Sequence, residues 1–547
     1  MMNKKYLLFL IIFISFVLRF VGINWQLPYL YQTEEYKTVN YTFKMAATKS
    51  LNPKFFEYPS LYMYFMFFVY GLLFIGGKIL GFYSSAEDFA IKFFNNPTIV
   101  YVVGRFFSAL FGGLVVVATY FLGKMLYNKR VGIISAVMLG LLPIWLIYSH
   151  YIKPEMFSNL LVVLFAIFLY KYFLTDNNKF FYISCMLLGL ATSSKYLSLP
   201  AGIMVFVVLF YKDKKFFIKK TFWLGVLLII LFFLIGTPYS VIDYKTFVKD
   251  MIGIIKGPEL GRLKRNILNG VLTTIHNYLY MGNKTIVIGL ICFLGTIYSL
   301  FKPTVKELML LSVVFIFFVI NSTHYFPAWG FLFTAFPFYI ILGARFVDEI
   351  INRTKFAVYG FCLLMLFPLY ESISVDISFC LKDTRTQALK WIEKNIPYRE
   401  KILIDRYPNS PPLRMTKSQL EKLYKKAVEL SHYKKEYFYW QLKAHPGGNY
   451  GYEVYEVYHP PYEIGTIKHH VEEAQKVREL IDVSVGIEGV KKLGIKYFVY
   501  NSYSAETTIE PQIKKFYQEV ENKAKLVAEF KPKTKYHPGP VIRIYEL

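Results

Sequence analysis

The sequence predicts a polytopic α-helical membrane protein with a C-terminal extracytoplasmic α/β domain, and three observations predict it. Of 547 residues, 55% are hydrophobic and only 18% are charged. That leaves too little polar surface to cover the core of a soluble chain this long. Apolar runs near 20 residues recur through the first 375 positions, and about 20 helical residues cross a hydrocarbon layer of about 30 Å. Beyond residue 376 these runs give way to short strand-like and helix-like segments separated by turns.

In chain order, spans are expected at about 6–25, 98–123, 131–150, 156–174, 180–195, 197–211, 221–240, 284–301, 307–322, 328–347 and 356–372, eleven in all. The first, Tyr6 to Trp25, follows Lys4 and Lys5. It is long for a signal peptide and lacks a small-residue cleavage site, so it reads as a retained anchor. Segment 60–82 is as apolar as any span. Counting it as one would place Lys129, Arg130 and the 212–220 basic loop outside, with Lys4 and Lys5 inside. Laid along the membrane surface, it leaves all the short basic loops cytoplasmic. Residues 26–97 then form one extracytoplasmic loop with an interfacial helix. Segments 151–155 and 241–283 are also outside, within a membrane domain of 1–375.

Residues 376–547 read as a soluble domain. DTRTQALKWIEKNIP has helical apolar spacing and stops at Pro397. KILIDRY (401–407), KYFVYNS (496–502), KLVAEF (525–530) and VIRIYEL (541–547) read as strands, with turn-rich stretches such as HPGGNYGY between.

The net charge of +26 does not point to nucleic acid. Residues 1–375 hold 34 basic and 15 acidic residues, against 29 and 22 in residues 376–547. The excess therefore lies between apolar runs rather than on a clustered soluble face. Cys185, Cys292, Cys362 and Cys380 show no metal spacing. There is no phosphate-cradling Gly loop or nucleophile elbow. The Asn-X-Ser/Thr triplets at Asn40, Asn283 and Asn321 are explained by chance.

The few acidic residues of the membrane domain bear inspection. Glu34 and Glu35 follow the first span by about nine residues, and Glu155 sits in a very short outer loop. Both sites are tied to span ends on one face, where a carboxylate could take a hydroxyl proton as general base. The plain structural reading is that Glu155 complements a helix start opened by Pro154, while Glu34 and Glu35 are solvated loop charges. Outer basic residues are rarer. Lys195 ends a span, Arg105 lies about two turns inside another, Arg262 occupies the 241–283 loop and His324 begins an outer turn. Together they could bind an anion at the membrane surface. Alternatively, Lys195 snorkels and Arg105 pairs with a loop carboxylate.

These residues resemble the GT-C glycosyltransferases, in the protein O-mannosyltransferase and aminoarabinose-transferase branch. The likeness starts at LRFVGINWQLPYLYQTEEY, where Glu34-Glu35 stands for an Asp-Glu pair. It continues through LNPKFFEYPSLYMYF (51–65), similar to a Tyr/Pro-Pro segment opening an interfacial helix, and GRFFSALFG around Arg105. SHYIKPEMFSN (149–159), ATSSKY (191–196), GTPYSVID, HYFPAWGFLFTAFPFYIILGA and DTRTQALKWIEKNIP follow in order, about 400 residues in all. Two departures stand out. Glu34 and Glu155 replace Asp, which moves each carboxylate by about 1 Å or more, and His324 stands where an Arg is usual.

The resemblance implies an inverting transferase with a polyprenyl-phosphate-linked sugar as donor, its tail in a groove between spans. It implies Glu34 as general base, Glu35 and Glu155 as orienting carboxylates, and Tyr58 and Pro59 in the acceptor or sugar pocket. Lys195, Arg105, Arg262 and His324 would neutralise the departing phosphate. No cofactor and no metal are expected. The acceptor would be a lipid, protein or glycan, reached at the outer face of the plasma membrane, with membrane lipids as the other partner. A transporter or flippase of lipid-linked sugars is the rival class, but it would concentrate charge at the bilayer midplane and show inverted repeats. A non-catalytic relative that binds lipid-linked sugars is the third reading.

Overall fold

The computed structural model describes residues 4–31, 34–256, 267–282, 284, 286–301, 303–324, 328–406, 409–460, 472–508, 510–534 and 536–547. It is mostly helical, with one six-stranded sheet near the C-terminus, as the fold class read from the sequence requires. Two compact units emerge. The first comprises residues 1–23, 34–71 and 102–376; the second comprises 24–33, 72–101 and 377–547.

In the first unit the apolar runs become helices because lipid leaves every backbone donor and acceptor to be satisfied within its own segment. Each expected span coincides with a helix, but many are short. Five helical stretches among the described residues are long and apolar enough to cross a membrane: Leu61–Ile79, Thr98–Leu126, Pro154–Thr175, Val305–Thr323 and Ala357–Asn395. The broken pair Lys129–Gly140 and Pro143–Ser149 makes a sixth. Four more, Leu8–Phe20, Tyr196–Lys212, Lys220–Gly236 and Val287–Phe301, are apolar but shorter. The expectation of eleven full-length spans is thus not matched by helix lengths; a 17-residue helix such as Lys220–Gly236 rises about 25 Å. Leu61–Ile79 meets the same length test, although charge parity laid it along the surface.

Where the chain departs from straight helices, the causes are local. The expected span 131–150 is bent by 66° between its two halves. Pro143 opens the second half and holds Leu142 extended at ψ 110°, since the residue before proline avoids the helical region. Asn128 caps the first half by accepting from the N–H groups of Arg130 and Val131. Pro154 likewise opens Pro154–Thr175 with Lys153 extended before it. Close helix pairs meet at glycine. A Cβ on Gly343 would lie 2.9 Å from the Cα of Cys292, and one on Gly225 would lie 2.6 Å from the ring of Phe181, the small-residue contact of membrane helices.

In the second unit the strands are β1 (Lys401–Ile404), β2 (Glu453–Val457), β3 (Leu480–Ile481), β4 (Tyr497–Asn501), β5 (Lys525–Phe530) and β6 (Ile542–Glu546), in the order β3-β2-β1-β4-β6-β5. Strands β3, β2, β1 and β4 run parallel, while β6 pairs antiparallel with both β4 and β5. Alternation fills both faces. Ile402, Ile404 and Val499 pack with Ile392 of the helix Thr384–Asn395. Leu403 and Phe498 face Phe516 and Val520 of the helix Pro511–Lys523. The four expected strands are present; β2 and β3 are additional. The helix read in DTRTQALKWIEKNIP spans Thr384–Asn395, capped by Asp383. Part of the first loop belongs to this unit. Gln26 donates to Asp383 at 3.0 Å, Arg385 stacks on the Tyr31 ring at 3.7 Å, and Lys443 pairs with Glu87 at 2.8 Å.

Candidate active site

Glu34 and Glu35 are adjacent where the helix Glu35–Ala47 begins. Neighbours on a helix do not share a face, so the pair is divided between two tasks. Glu35 turns inward and is 1% exposed. Its Oε1 accepts from Arg105 Nε at 2.9 Å and from the Ile152 N–H at 3.1 Å, and its Oε2 accepts from Arg105 Nη2 at 2.7 Å. Arg105 Nη1 donates further to the Ile23 carbonyl at 3.1 Å. A planar fork meeting a carboxylate in this way is the strong, directional form of ion pair. It fastens the end of the first helix, the helix Thr98–Leu126 and the 150–153 turn to one another. Arg105, expected to face a phosphate, is 1% exposed and committed to Glu35. Glu35, expected among the orienting carboxylates, has both oxygens engaged away from solvent, one of them also by the Ile152 N–H beside Lys153.

Glu34 turns the other way and its side chain is 38% exposed. Tyr58 Oη donates to its Oε2 at 3.3 Å. Two lysines flank it, Lys37 at 4.0 Å and Lys153 at 3.9 Å, and Lys37 also reaches Glu57 at 3.5 Å. Burial, followed by the nearby charges of Glu155 and Glu34, pushes the Tyr58 phenol well above its ordinary range. It therefore serves as a hydrogen-bond donor at any physiological pH.

Glu155 lies in the first turn of Pro154–Thr175, its side chain 7% exposed. A carboxylate there complements the helix dipole, but it also has specific partners. Its Oε1 is 3.2 Å from Lys195 Nζ and 3.9 Å from Lys153 Nζ. Among the described residues its Oε2 is buried without a hydrogen-bond partner. Lys195 is the extended residue just past the helix Asn178–Ser194, so its side chain leaves the helix and turns to Glu155. Glu34, Tyr58, Glu155 and Lys195 are thus brought together, with Lys153 between the two carboxylates.

Lys153 was not singled out from the sequence. It stands next to Pro154-Glu155 in a short turn between two helices, and its adjacency to that glutamate was the signal that could have found it. The loop carrying Tyr58 is held by polar staples. Asp243 accepts from Asn52 at 2.7 Å, Lys54 at 2.8 Å and Thr246 at 2.8 Å. Asp250 accepts from the Phe56 N–H at 2.7 Å, and Tyr196 donates to the Phe56 carbonyl at 3.0 Å. Pro59 is buried behind Tyr58, and the next residue, Ser60, donates its N–H to Thr237. His324 follows the helix Val305–Thr323 and its ring lies 4.2 Å from that of Phe331. Arg262 lies outside the described residues.

An apolar cavity of about 370 Å³ opens among the helices that follow the site. Its walls include Cys185, Leu188, Leu199, Pro200, Phe222 and Gly225. Leu199 and Pro200 sit on the turn that starts directly after Lys195. Among the described residues, no group of three His, Cys, Asp or Glu side chains is placed to hold a metal ion.

Residues 91–237, which include Arg105, Lys153, Glu155 and Lys195, match the family described as dolichyl-phosphate-mannose-protein mannosyltransferase. No curated protein sequence matches the chain. The crystal structure of ArnT from Cupriavidus metallidurans bound to undecaprenyl phosphate is similar in fold, with a TM-score of 0.53 at 11% identity over 98% of this chain and 97% of that one. The apo ArnT structure gives 0.50 at 12% identity over the same shares. The oligosaccharyltransferase of Archaeoglobus fulgidus, tethered to an acceptor peptide, gives 0.47 at 14% identity over 91% of this chain and 69% of that one. The likeness is thus one of sequence over residues 91–237, to the mannosyltransferase family, and one of fold along the chain, to ArnT.

Proposed function

We propose that this protein is an inverting glycosyltransferase that moves a sugar from a polyprenyl-phosphate donor to an acceptor hydroxyl at the outer face of the plasma membrane. The observation that carries the reading is the charge-balanced cluster of Glu34, Lys153, Glu155 and Lys195, buried except at Glu34, with an apolar cavity lined in part by the turn that follows Lys195. Undecaprenyl phosphate bound to the ArnT of similar fold supports a donor of this class.

Glu34 is the part of the cluster open to an incoming acceptor. Its carboxylate takes the hydroxyl proton as the acceptor oxygen attacks the anomeric carbon. The bond from that carbon to the phosphate oxygen breaks, its electron pair leaves with the polyprenyl phosphate, and the sugar inverts in one displacement. Tyr58, donating to Glu34 Oε2, fixes the carboxylate so that its other oxygen is free to receive the proton. Lys195 stabilises the charge that grows on the phosphate. The polyprenyl tail occupies the cavity beyond Leu199 and Pro200, where burying it is favourable at about 25 cal/mol per Å² of apolar surface. Segment 376–547 shapes acceptor binding.

The test is sugar transfer by the full-length protein in lipid nanodiscs, with a panel of polyprenyl-phosphate sugars as donors and native membrane extract as acceptor. Transfer from at least one donor, inverted at the anomeric carbon, is the expected result. Donor binding without any transfer would overturn the enzymatic assignment in favour of a non-catalytic binding protein.

A further inference from the structure

Lys153 belongs to the cluster but takes no step in the reaction described above, yet it is the least satisfied charge in the site. Its side chain is 11% exposed, and its ammonium stands 3.9 Å from a Glu34 oxygen and 3.9 Å from a Glu155 oxygen. A charge-assisted hydrogen bond is about 2.7–2.9 Å long, so neither contact is one. Among the described residues it has no closer acceptor; the Tyr148 ring lies beneath it at 5.2 Å. Glu155 is only half satisfied, its Oε1 accepting from Lys195 at 3.2 Å and its Oε2, among the described residues, without a hydrogen-bond partner. Buried polar groups left half-paired are costly, and a native site holding several of them is suited to a polar ligand that pairs with them.

The shape of the gap defines that group. Lys153 Nζ and Lys195 Nζ both address Glu155 Oε1, at 3.9 and 3.2 Å, which keeps the two ammonium groups within about 7 Å of each other. One tetrahedral oxyanion bridges such a pair. A carboxylate oxygen now lies within 3.9 Å of both ammonium groups.

We propose that Glu155 is an anionic placeholder in a two-ammonium clamp, and that Lys153 and Lys195 together take the donor's phosphate when it displaces that carboxylate. The proposal rests on the functional reading above and assigns a phosphate ligand, Lys153, that the reading does not. The charge count favours two ammonium groups over one. The donor's phosphate is a diester with a single negative charge. Once the sugar leaves, it is a monoester that gains a second charge. A clamp of +2 therefore binds the departing group more strongly than the donor, and only such a difference accelerates the reaction. Before donor binding, Glu155 keeps the two like charges from repelling each other apart.

Binding to the full-length protein in nanodiscs tests this, with farnesyl phosphate as probe and farnesol as its charge-free control. Wild type is expected to prefer the phosphate. Lys153→Gln and Lys195→Gln should each weaken phosphate binding by about tenfold and leave farnesol unchanged, and Lys153→Arg should restore most of the loss. Glu155→Gln should tighten phosphate binding several-fold, because no carboxylate competes for the clamp. It also serves as the test if Lys153→Gln fails to fold. Phosphate binding by Lys153→Gln equal to wild type, or weakened binding by Glu155→Gln, would overturn the proposal while leaving the donor assignment standing. A wild type that does not distinguish the phosphate from the alcohol would instead remove the donor assignment, and the clamp with it.

Discussion

Two buried carboxylates of the membrane unit, Glu35 and Glu155, are satisfied in opposite ways. Glu35 meets Arg105 in a two-pronged pair at 2.9 and 2.7 Å and takes a backbone N–H besides. Glu155 meets two lysines loosely through one oxygen and nothing through the other. Both are almost fully buried, so burial alone does not separate them. The difference is in what remains to be bonded. A cluster with every donor matched has nothing left to offer a ligand and serves to fasten chain segments. A cluster with unmet charge keeps its binding capacity for something that arrives. Glu34, next in sequence to Glu35, belongs with the second kind because one residue of helix turns it to the other face.

The largest expected effect breaks the comparison on its structural side. Arg105→Met leaves Glu35 as a buried, unpaired charge, which should cost about 3–5 kcal/mol of stability, read as a fall in the unfolding midpoint in detergent. Next, on the chemical side, Glu34→Gln should lower sugar transfer by about a hundredfold or more, with unchanged melting. A smaller loss follows from Tyr58→Phe. Removing one hydrogen bond to a charged acceptor should cost about 1.5 kcal/mol, or about tenfold in transfer rate.

Two further predictions sharpen the contrast through pH. Asp243 is held well below the ordinary carboxylate range, chiefly by hydrogen bonds from Lys54, Asn52 and Thr246. Its contribution to stability is therefore present above the unfolded value of about 3.9 and is lost as pH falls through its lower folded value. Asp243→Asn should reduce the melting midpoint at pH 7, and its gap from wild type should close below about pH 3.9. The smallest effect has the opposite sign. In the sheet-bearing unit, burial and then the neighbouring Arg478 push Lys434 down to about 8. The unfolded chain holds that proton up to about pH 10.4, so stability rises with pH between those values. Lys434→Met should melt higher than wild type at pH 7, with the gain gone near pH 10.4.

How much of this was legible in the sequence depends on the range of the interaction. Apolar runs located the membrane helices because hydrophobicity acts locally. They did not give the helix lengths, since Pro143 breaks one expected span and caps shorten others. Strands β1, β4, β5 and β6 stood out as compact hydrophobic stretches. β3 has two residues, and β2, EVYEV, lies after a run of glycine and tyrosine turns that hides it. In the site, the order of motifs singled out Glu34, Tyr58, Glu155 and Lys195, which the fold brings together. The pairing of Arg105 with Glu35 had been weighed only as an alternative, because which of two adjacent glutamates faces inward depends on the phase of a helix start. Lys153 escaped notice because its importance lies in being equidistant from two carboxylates more than a hundred residues apart in the chain, a relation that no spacing encodes.

The central claim is that the half-satisfied cluster performs the chemistry and the fully satisfied pair holds the fold. The measurement that tests it most directly is transfer rate and melting midpoint for Glu34→Gln and Arg105→Met, prepared side by side in nanodiscs. The account predicts that Glu34→Gln melts as wild type does and transfers about a hundredfold less, whereas Arg105→Met melts markedly lower. Wild-type transfer by Glu34→Gln, or wild-type melting by Arg105→Met, would contradict it.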